Sequence, residues 1–311
     1  MQAATVHVVG ECMIELQRSG AAQMDYRFGG DTLNAALYMA RLLGPQRVAY
    51  VTGLGVDGMS DEMCAAWESE GIDTACVQRL PAKLPGMYLI ETDATGERRF
   101  HYWRSDSAAR HWLRAPHAAR VLAQLAGAGM VYLSGISLAI LSPADRDTLL
   151  DVLAQCRAAG GKVVFDNNYR PRLWESTAEA VAVYQRVLAH TSIALLTLDD
   201  EVALYGEAAG PLDADAVIAR TRALGVPEVV VKCGAAPCVV WADGRLDVVA
   251  AAPVAHVVDT TAAGDSFGAA YIAARLQGSD AATAAAAGHR LAGAVIGRRG
   301  AIIPRDAMPS E

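Results

Sequence analysis

The chain is poor in the features that would tie it to a metal, a membrane or a nucleic acid. Its six cysteines (Cys12, Cys64, Cys76, Cys156, Cys233, Cys238) are scattered, with no Cys-x-x-Cys pair and no zinc-ligand spacing, so they read as free, buried thiols. Positive charge is scarce too: 27 Lys and Arg stand against 34 Asp and Glu, a formal net charge of −7. That balance argues against a broad nucleic-acid surface, which depends on clustered cations to displace phosphate counterions. An acidic ligand would have to meet individually placed arginines. No apolar run, the Ala-rich stretch 281–287 included, approaches the roughly 20 residues of a membrane helix. The start, MQAATVHVVG, enters a strand-like run without a basic region or long apolar core, and a cytoplasmic rather than a secreted protein is the expectation.

What is present is ample material for a core. Hydrophobic residues make up 53% of the 311 and charged ones 20%, and no segment is polar or repetitive enough for disorder, which fits one main domain over residues 1–311. Strands are expected at 6–10, 48–52, 131–134, 162–166, 193–196 and 228–232, and a hairpin at 238–241 and 246–249 across Asp243-Gly244. Helices are expected at 31–43, from Gly58 to about Glu70, at 143–159, at 175–190, from Asp199 and at 213–224. Repeated strand–helix units mean an α/β fold with a mostly parallel sheet covered on both faces. Its ligands gather at the C-terminal ends of the strands.

Residues 257–276, VVDTTAAGDSFGAAYIAARL, hold the strongest chemical signal. Ala262, Ala263 and Gly264 let the backbone approach a ligand, and the helix after them aims free amides and its positive dipole end at the same turn. An anion suits that place, and Asp265 at its mouth is awkward there unless it handles a proton. Phe28-Gly29-Gly30-Asp31 sets paired glycines where the helix over 31–43 begins, with Asp31 or Thr32 as its cap; a tight turn and a ligand contact both fit.

Other stretches carry weaker or competing signals. Gly53-Leu54-Gly55-Val56-Asp57-Gly58 spells G-x-G-x-x-G, but it is not in the first strand-to-helix turn, and Asp57 would set a negative charge against a pyrophosphate. A structural turn capping the next helix is the reading. Residues 87–104 alternate in period two around Asp93-Ala94-Thr95-Gly96, a hairpin signal that sets Tyr88 opposite Tyr102 and puts Phe100, Tyr102 and Arg104 on one face. Rings that exclude water beside a guanidinium suit an anionic small molecule, with a merely decorated hairpin as the alternative. In the polar loop 166–171, Arg170 is either a clamp for a carboxylate or phosphate or the ion-pair partner of Asp166 or another neighbour. Asp199, Asp200 and Glu201 lean towards helix capping rather than Mg²⁺ binding through water.

Two of these stretches resemble a known family. VVDTTAAGDSF is similar to the C-terminal signature of the ribokinase-like (PfkB) carbohydrate kinases, and FGGDTLNAALYMARLLG to their N-terminal glycine signature. GECMIEL, ERRFHYWR, YLSGISLAIL, FDNNYRPRLW, TLDDE and RGAIIPR extend the likeness through the whole chain, towards the branch that acts on sugar acids. The resemblance implies a three-layer α/β/α fold with a small β-sheet lid formed by about 11–28 and 84–106. It also implies phosphoryl transfer from ATP to the 6-hydroxyl of a 2-keto-3-deoxy sugar acid. Asp265 would be the general base, and the amides of Ala262, Ala263 and Gly264 the anion hole.

For the sugar acid, the resemblance implies Gly30, Asp31, Asn34, Tyr88, Tyr102, Arg104, the backbone near Ile136, and Arg170, with both arginines on the carboxylate. For ATP it implies Asn168, Thr197, Lys232, Gly234, Thr260, Ala262 and Gly264. Mg²⁺ would ride mainly on the phosphates with Glu201 reaching it through water, and a monovalent cation is a further candidate cofactor. A homodimer paired through the lid is implied as well. No G-x-x-x-x-G-K-[ST] sequence occurs, which excludes a Walker-type phosphate cradle. Two positions depart from the family pattern: Ala262 replaces a glycine that many relatives carry, restricting positive φ there, and Leu198 stands where many have Asn before the short helix.

Overall fold

The computed structural model describes residues 6–20, 22–92, 98–206 and 212–309. In chain order the strands are β1 (Val6–Val9), β2 (Met13–Gly20), β3 (Gln23–Gly29), β4 (Val48–Val51), β5 (Gly53–Leu54), β6 (Gln78–Arg79), β7 (Gly86–Thr92), β8 (Arg98–Trp103), β9 (Met130–Ser134), β10 (Lys162–Asp166), β11 (Ile193–Thr197), β12 (Glu228–Lys232), β13 (Cys238–Ala242) and β14 (Arg245–Val249). The helices are α1 (Asp31–Leu43), α2 (Gly58–Ser69), α3 (Ala118–Ala126), α4 (Gly135–Ala139), α5 (Pro143–Ala158), α6 (Thr177–Leu188), α7 (Leu198–Tyr205), α8 (Ala214–Ala223), α9 (Ala263–Leu276) and α10 (Ala281–Ile296). Among the described residues no helix is long and apolar enough to cross a membrane.

Eight strands form one sheet in the order β14-β13-β12-β11-β10-β9-β1-β4. It is parallel from β4 to β12 and ends in the antiparallel pair β13 and β14. Successive residues of a strand face opposite sides, so the β-branched runs serve two cores at once. Val6, Val8, Tyr132 and Val230 pack under α1, α2, α9 and α10; Val9, Leu133, Phe165 and Val231 pack under α3, α5, α6 and α8. The result is the three-layer arrangement expected from the alternation of strands and helices.

The segments after Gly10 and around residue 90 form a second, four-stranded sheet in the order β3-β2-β7-β8. Tyr88 does pair with Tyr102, and Phe100 and Tyr102 stack with ring centroids 6.4 Å apart. The expected turn at 93–96 lies outside the described residues.

Two local expectations met different fates. The G-x-G-x-x-G stretch is a structural turn: Asp57 caps α2, accepting Ser60 N at 3.0 Å and Ser60 Oγ at 2.7 Å, and Ser60 Oγ accepts Gly55 N at 2.9 Å. The Asp57 carboxylate itself sits at the helix N-terminus where a phosphate would have to lie. The cap of α1, by contrast, is neither Asp31 nor Thr32 but Gly30, which makes no side-chain bond. A Cβ there would collide with the Glu11 carbonyl oxygen, so close packing selects glycine. Thr32 lies inside the helix with its hydroxyl 2.9 Å from that of Tyr50. Helices α3 and α10 were not anticipated; α3 is short, and the run 281–287 is so rich in alanine that it shows little periodic contrast.

The cap gives the first prediction. Asp57→Ala is expected to lower the unfolding free energy by about 1 kcal/mol, the usual loss for an N-cap carboxylate, without changing turnover. Urea titration followed by circular dichroism checks it, and an unchanged midpoint would show the cap to be idle.

Candidate active site

The C-terminal ends of β1, β9, β10, β11 and β12 open towards the N-termini of α1 and α9, and most of the expected residues stand along that line. The turn into α9 is fixed by Asp259, which is buried. Its Oδ1 accepts Thr261 N at 3.0 Å and Thr261 Oγ1 at 2.6 Å, and its Oδ2 accepts Gly300 N at 3.1 Å. Ala262 then caps the helix at φ 61° and ψ 15°. The methyl group has not kept it out of the left-handed region, at a strain of roughly 1 kcal/mol. Ala263 N turns back to Thr260 O at 3.2 Å and so drops out of the expected set of free amides. Those of Gly264 and Asp265, in the first turn, have no carbonyl to bond within α9.

Asp265 accepts a hydrogen bond from Asn34 Nδ2 at 2.8 Å. Burial first, and the charge of Asp31 next, push its carboxyl up to about 7; Asp166 adds to the rise, while the Asn34 bond and the Lys232 ammonium oppose it. A carboxylate so placed takes a proton readily near neutrality. Asn34 Oδ1 is buried and has no partner among the described residues, an open acceptor beside the acid. Asp31 Oδ2 accepts Asn168 Nδ2 at 2.6 Å, with Asn168 held at φ 27°. Lys232, at the end of β12, donates to both oxygens of Asp166, at 2.9 and 3.2 Å, and both groups are buried. Its Nζ is 3.4 Å from where a Cβ on Gly264 would stand, which ties the lysine to the α9 turn.

A neighbouring asparagine not singled out in the sequence holds the loops together. Asn167 Oδ1 accepts Asn168 N and Thr197 N, each at 2.9 Å, and its Nδ2 donates to Thr197 O at 3.1 Å and Glu201 Oε1 at 2.9 Å. Glu201 Oε2 is taken by Arg220. Both oxygens of Glu201 are therefore committed inside the protein, and burial, opposed by Arg220, raises its carboxyl above the ordinary value. Among the described residues no group of three or more His, Cys, Asp or Glu is arranged to hold a metal. Thr260 and Gly234 are exposed, Gly234 in a left-handed turn after β12.

The other end of the cleft carries the aromatic rings and arginines. Tyr88 donates to Glu15, and its ring lies 5.7 Å from that of Tyr102. Arg104, one residue past β8, donates to the buried Glu11, which also receives the Ser107 hydroxyl. Glu11 was not identified from the sequence; the available signal was its position directly after Gly10, at the C-terminal end of β1. Ile136 is half-buried on α4, whose first turn is closed by the reciprocal bonds of Ser134 and Ser137. Arg170 has not paired with Asp166, which Lys232 occupies; it donates to Tyr169 O at 2.8 Å and stands 3.5 Å from Asp200 Oδ1.

Comparison with known proteins follows the same outline. Residues 3–308 match the pfkB family carbohydrate kinase. The chain is 54% identical to a 2-dehydro-3-deoxygluconokinase of Dickeya dadantii over 100% of both chains. It is 42% identical to the 2-dehydro-3-deoxygluconokinase of Haemophilus influenzae over 96% of each. Among solved structures, a PfkB protein from Polaromonas sp. JS666 superposes with a TM-score of 0.82 at 28% identity, covering 95% of this chain and 96% of the other.

The charge balance at Asp265 is testable without reference to any reaction. Its carboxyl is harder to ionise in the folded chain than in the unfolded one, so its charge lowers stability above about pH 7, and the deficit fades as pH falls towards the ordinary carboxylate range. An amide there keeps an acceptor for Asn34 and carries no charge. Asp265→Asn is expected to melt above the wild type at about pH 8 and to converge with it near pH 4. Thermal melts across that range decide, and a lower melting temperature at the alkaline end would refute the balance.

Proposed function

The chain belongs to the pfkB family of carbohydrate kinases, and from that premise we propose that it transfers the γ-phosphoryl group of ATP to the 6-hydroxyl of 2-keto-3-deoxy-D-gluconate (2-dehydro-3-deoxygluconate). The observation that carries the reading is the acid of the α9 turn: a carboxyl near neutrality beside amides that face an anion. Asp265 takes the hydroxyl proton as the bond from oxygen to the γ-phosphorus forms and the bond from that phosphorus to the bridging oxygen breaks, releasing ADP. The Gly264 and Asp265 amides and the helix dipole stabilise the charge on the moving group. Asn34 orients the base, and its unpartnered Oδ1 suits a second sugar hydroxyl.

The nucleotide lies, in this proposal, along the ends of β11 and β12, by Asn168, Thr197, Lys232, Gly234 and Thr260. Exposed Val257 and Val258 offer an apolar wall for a base next to that turn. Mg²⁺, when bound, neutralises charge on the phosphates. The committed oxygens of Glu201 fit an ion that arrives on the nucleotide rather than one gripped by the protein, and Glu201 acts on it only through water or through Asn167.

The sugar acid lies under the small sheet, against Gly30, Asp31, Tyr88, Tyr102 and Ile136, with Arg104 and Arg170 towards its carboxylate. The small sheet acts as a lid that excludes competing water. Its opposite face exposes Met24, Tyr26 and Trp103, which register through Leu16 and Met87 on one side of the sheet. A second copy of the chain would cover them, giving a homodimer, and static light scattering at micromolar concentration is expected to return twice the chain mass; a monomer would overturn the pairing.

Turnover tests the whole reading. An ADP-release assay over 2-keto-3-deoxygluconate, its galactonate epimer, fructose and ribose is expected to favour the acids, and faster turnover of a neutral sugar would refute the choice of substrate. Asp265→Asn is expected to lose roughly a thousandfold in kcat with little change in either KM, as removal of a general base does. In the wild type, kcat/KM should fall as pH drops through about 7, where Asp265 takes up its proton.

A further inference from the structure

The acid-binding end of the cleft is short of free positive charge. Arg104 is in contact with the buried Glu11, and a paired cation leaves little net field for a second anion. Arg170 stands 3.5 Å from Asp200 with its side chain 53% exposed, where water and salt weaken it. Deeper in, Asp31 and Asp265 add negative charge. A substrate carboxylate entering here meets donors but no uncompensated cation among these residues.

Six residues past Arg104, a short 3-10 segment, Ala108–Arg114, carries Arg110. Its backbone is pinned beside Glu11. Arg110 N donates to Ser107 O at 3.0 Å, the same serine whose hydroxyl reaches Glu11, and Ala108 N donates to Leu84 O at 2.8 Å. The Arg110 side chain is half-buried, and among the described residues it forms no ion pair or hydrogen bond, unlike Arg104, Arg114, Arg146 and Arg170 around it. On its far side Arg146 donates to Leu138 O at 3.1 Å and Leu141 O at 3.2 Å, at the end of the helix that carries Ile136. The charges of Glu11, Arg104, Asp106 and Arg146 all act on the Arg110 guanidinium, which sets it near the Glu11–Arg104 pair. A half-buried guanidinium with no hydrogen-bonding partner is open to a ligand's carboxylate.

We infer that Arg110 is the uncompensated cation of the acid pocket, holding the substrate carboxylate alongside Arg104 and setting the preference for a sugar acid over its neutral counterpart. This rests on the sugar-acid reading of the site. Arg104 then serves as an oriented donor whose charge Glu11 balances, and Arg110 supplies the net attraction. Burial lowers the Arg110 guanidinium from its ordinary value, with Glu11 and the exposed Asp106 supporting its charge and Arg104 and Arg146 opposing it, yet a guanidinium remains protonated at any working pH.

The test compares steady-state kinetics of wild type, Arg110→Gln, Arg110→Met and Arg110→Lys on two sugars. One is 2-keto-3-deoxygluconate; the other is 3-deoxyfructose, its neutral counterpart with a hydroxymethyl group in place of the carboxylate. Wild-type turnover of the acid is measured first and judges the substrate reading by itself; none there removes that reading and this inference with it. Given turnover, each uncharged variant is expected to raise KM for the acid roughly 10- to 100-fold, the loss of one charge-assisted contact, and to weaken its salt dependence. Their KM for 3-deoxyfructose should stay within about twofold of wild type, and Arg110→Lys should recover most of the affinity for the acid. An acid KM within about threefold of wild type in the uncharged variants, or an equal rise for both sugars, overturns the inference.

Discussion

Three carboxylates, Asp31, Asp166 and Asp265, share one cleft, and like charges brought together out of water repel strongly unless each is given a different neighbour. The fold supplies those neighbours from separate elements. Asp166 receives the Lys232 ammonium from β12, two strands away, Asp31 the Asn168 amide, and Asp265 the Asn34 amide from α1. Asp166 thus has a buried cation hydrogen-bonded to it, whereas Asp265, with burial and the charge of Asp31 against its ionisation, keeps the raised proton affinity that the proposed general base requires.

Holding those groups in place falls to a hydrogen-bonded network beside them. Asn167 uses both ends of its side chain on the loops after β10 and β11, and through Glu201 it is braced by Arg220, whose guanidinium lies 3.7 Å above the Tyr205 ring. A buried polar network of this kind rigidifies the backbone around it. Glu201 thus braces the loops through Asn167 and Arg220.

The large sheet was legible because its strands are short β-branched runs buried on both faces, and the α9 turn because small residues before an acid at a helix start have few other uses. Arg104 and Tyr88 were legible from alternation alone. Their partners were not: Glu11 meets Arg104 across 93 residues and Ser107 across 96, and no local pattern encodes such a meeting. The same holds for Arg220 against Glu201 and Lys232 against Asp166. The cap of α1 failed for a related reason, since the glycine is selected by a carbonyl from another segment rather than by helix-capping chemistry.

Glu11 stands in the link between β1 of the large sheet and β2 of the small one, and its carboxylate holds Arg104 from the far strand of that small sheet. The joint between the two sheets and the counter-ion of the arginine are therefore one residue. Under the proposed lid movement, rotation of the small sheet about this link would carry the arginine and its counter-ion as a unit, so closing would not separate that pair. In that proposal the gain on closing comes from dehydration and from the aromatic rings rather than from a new cation on the small sheet.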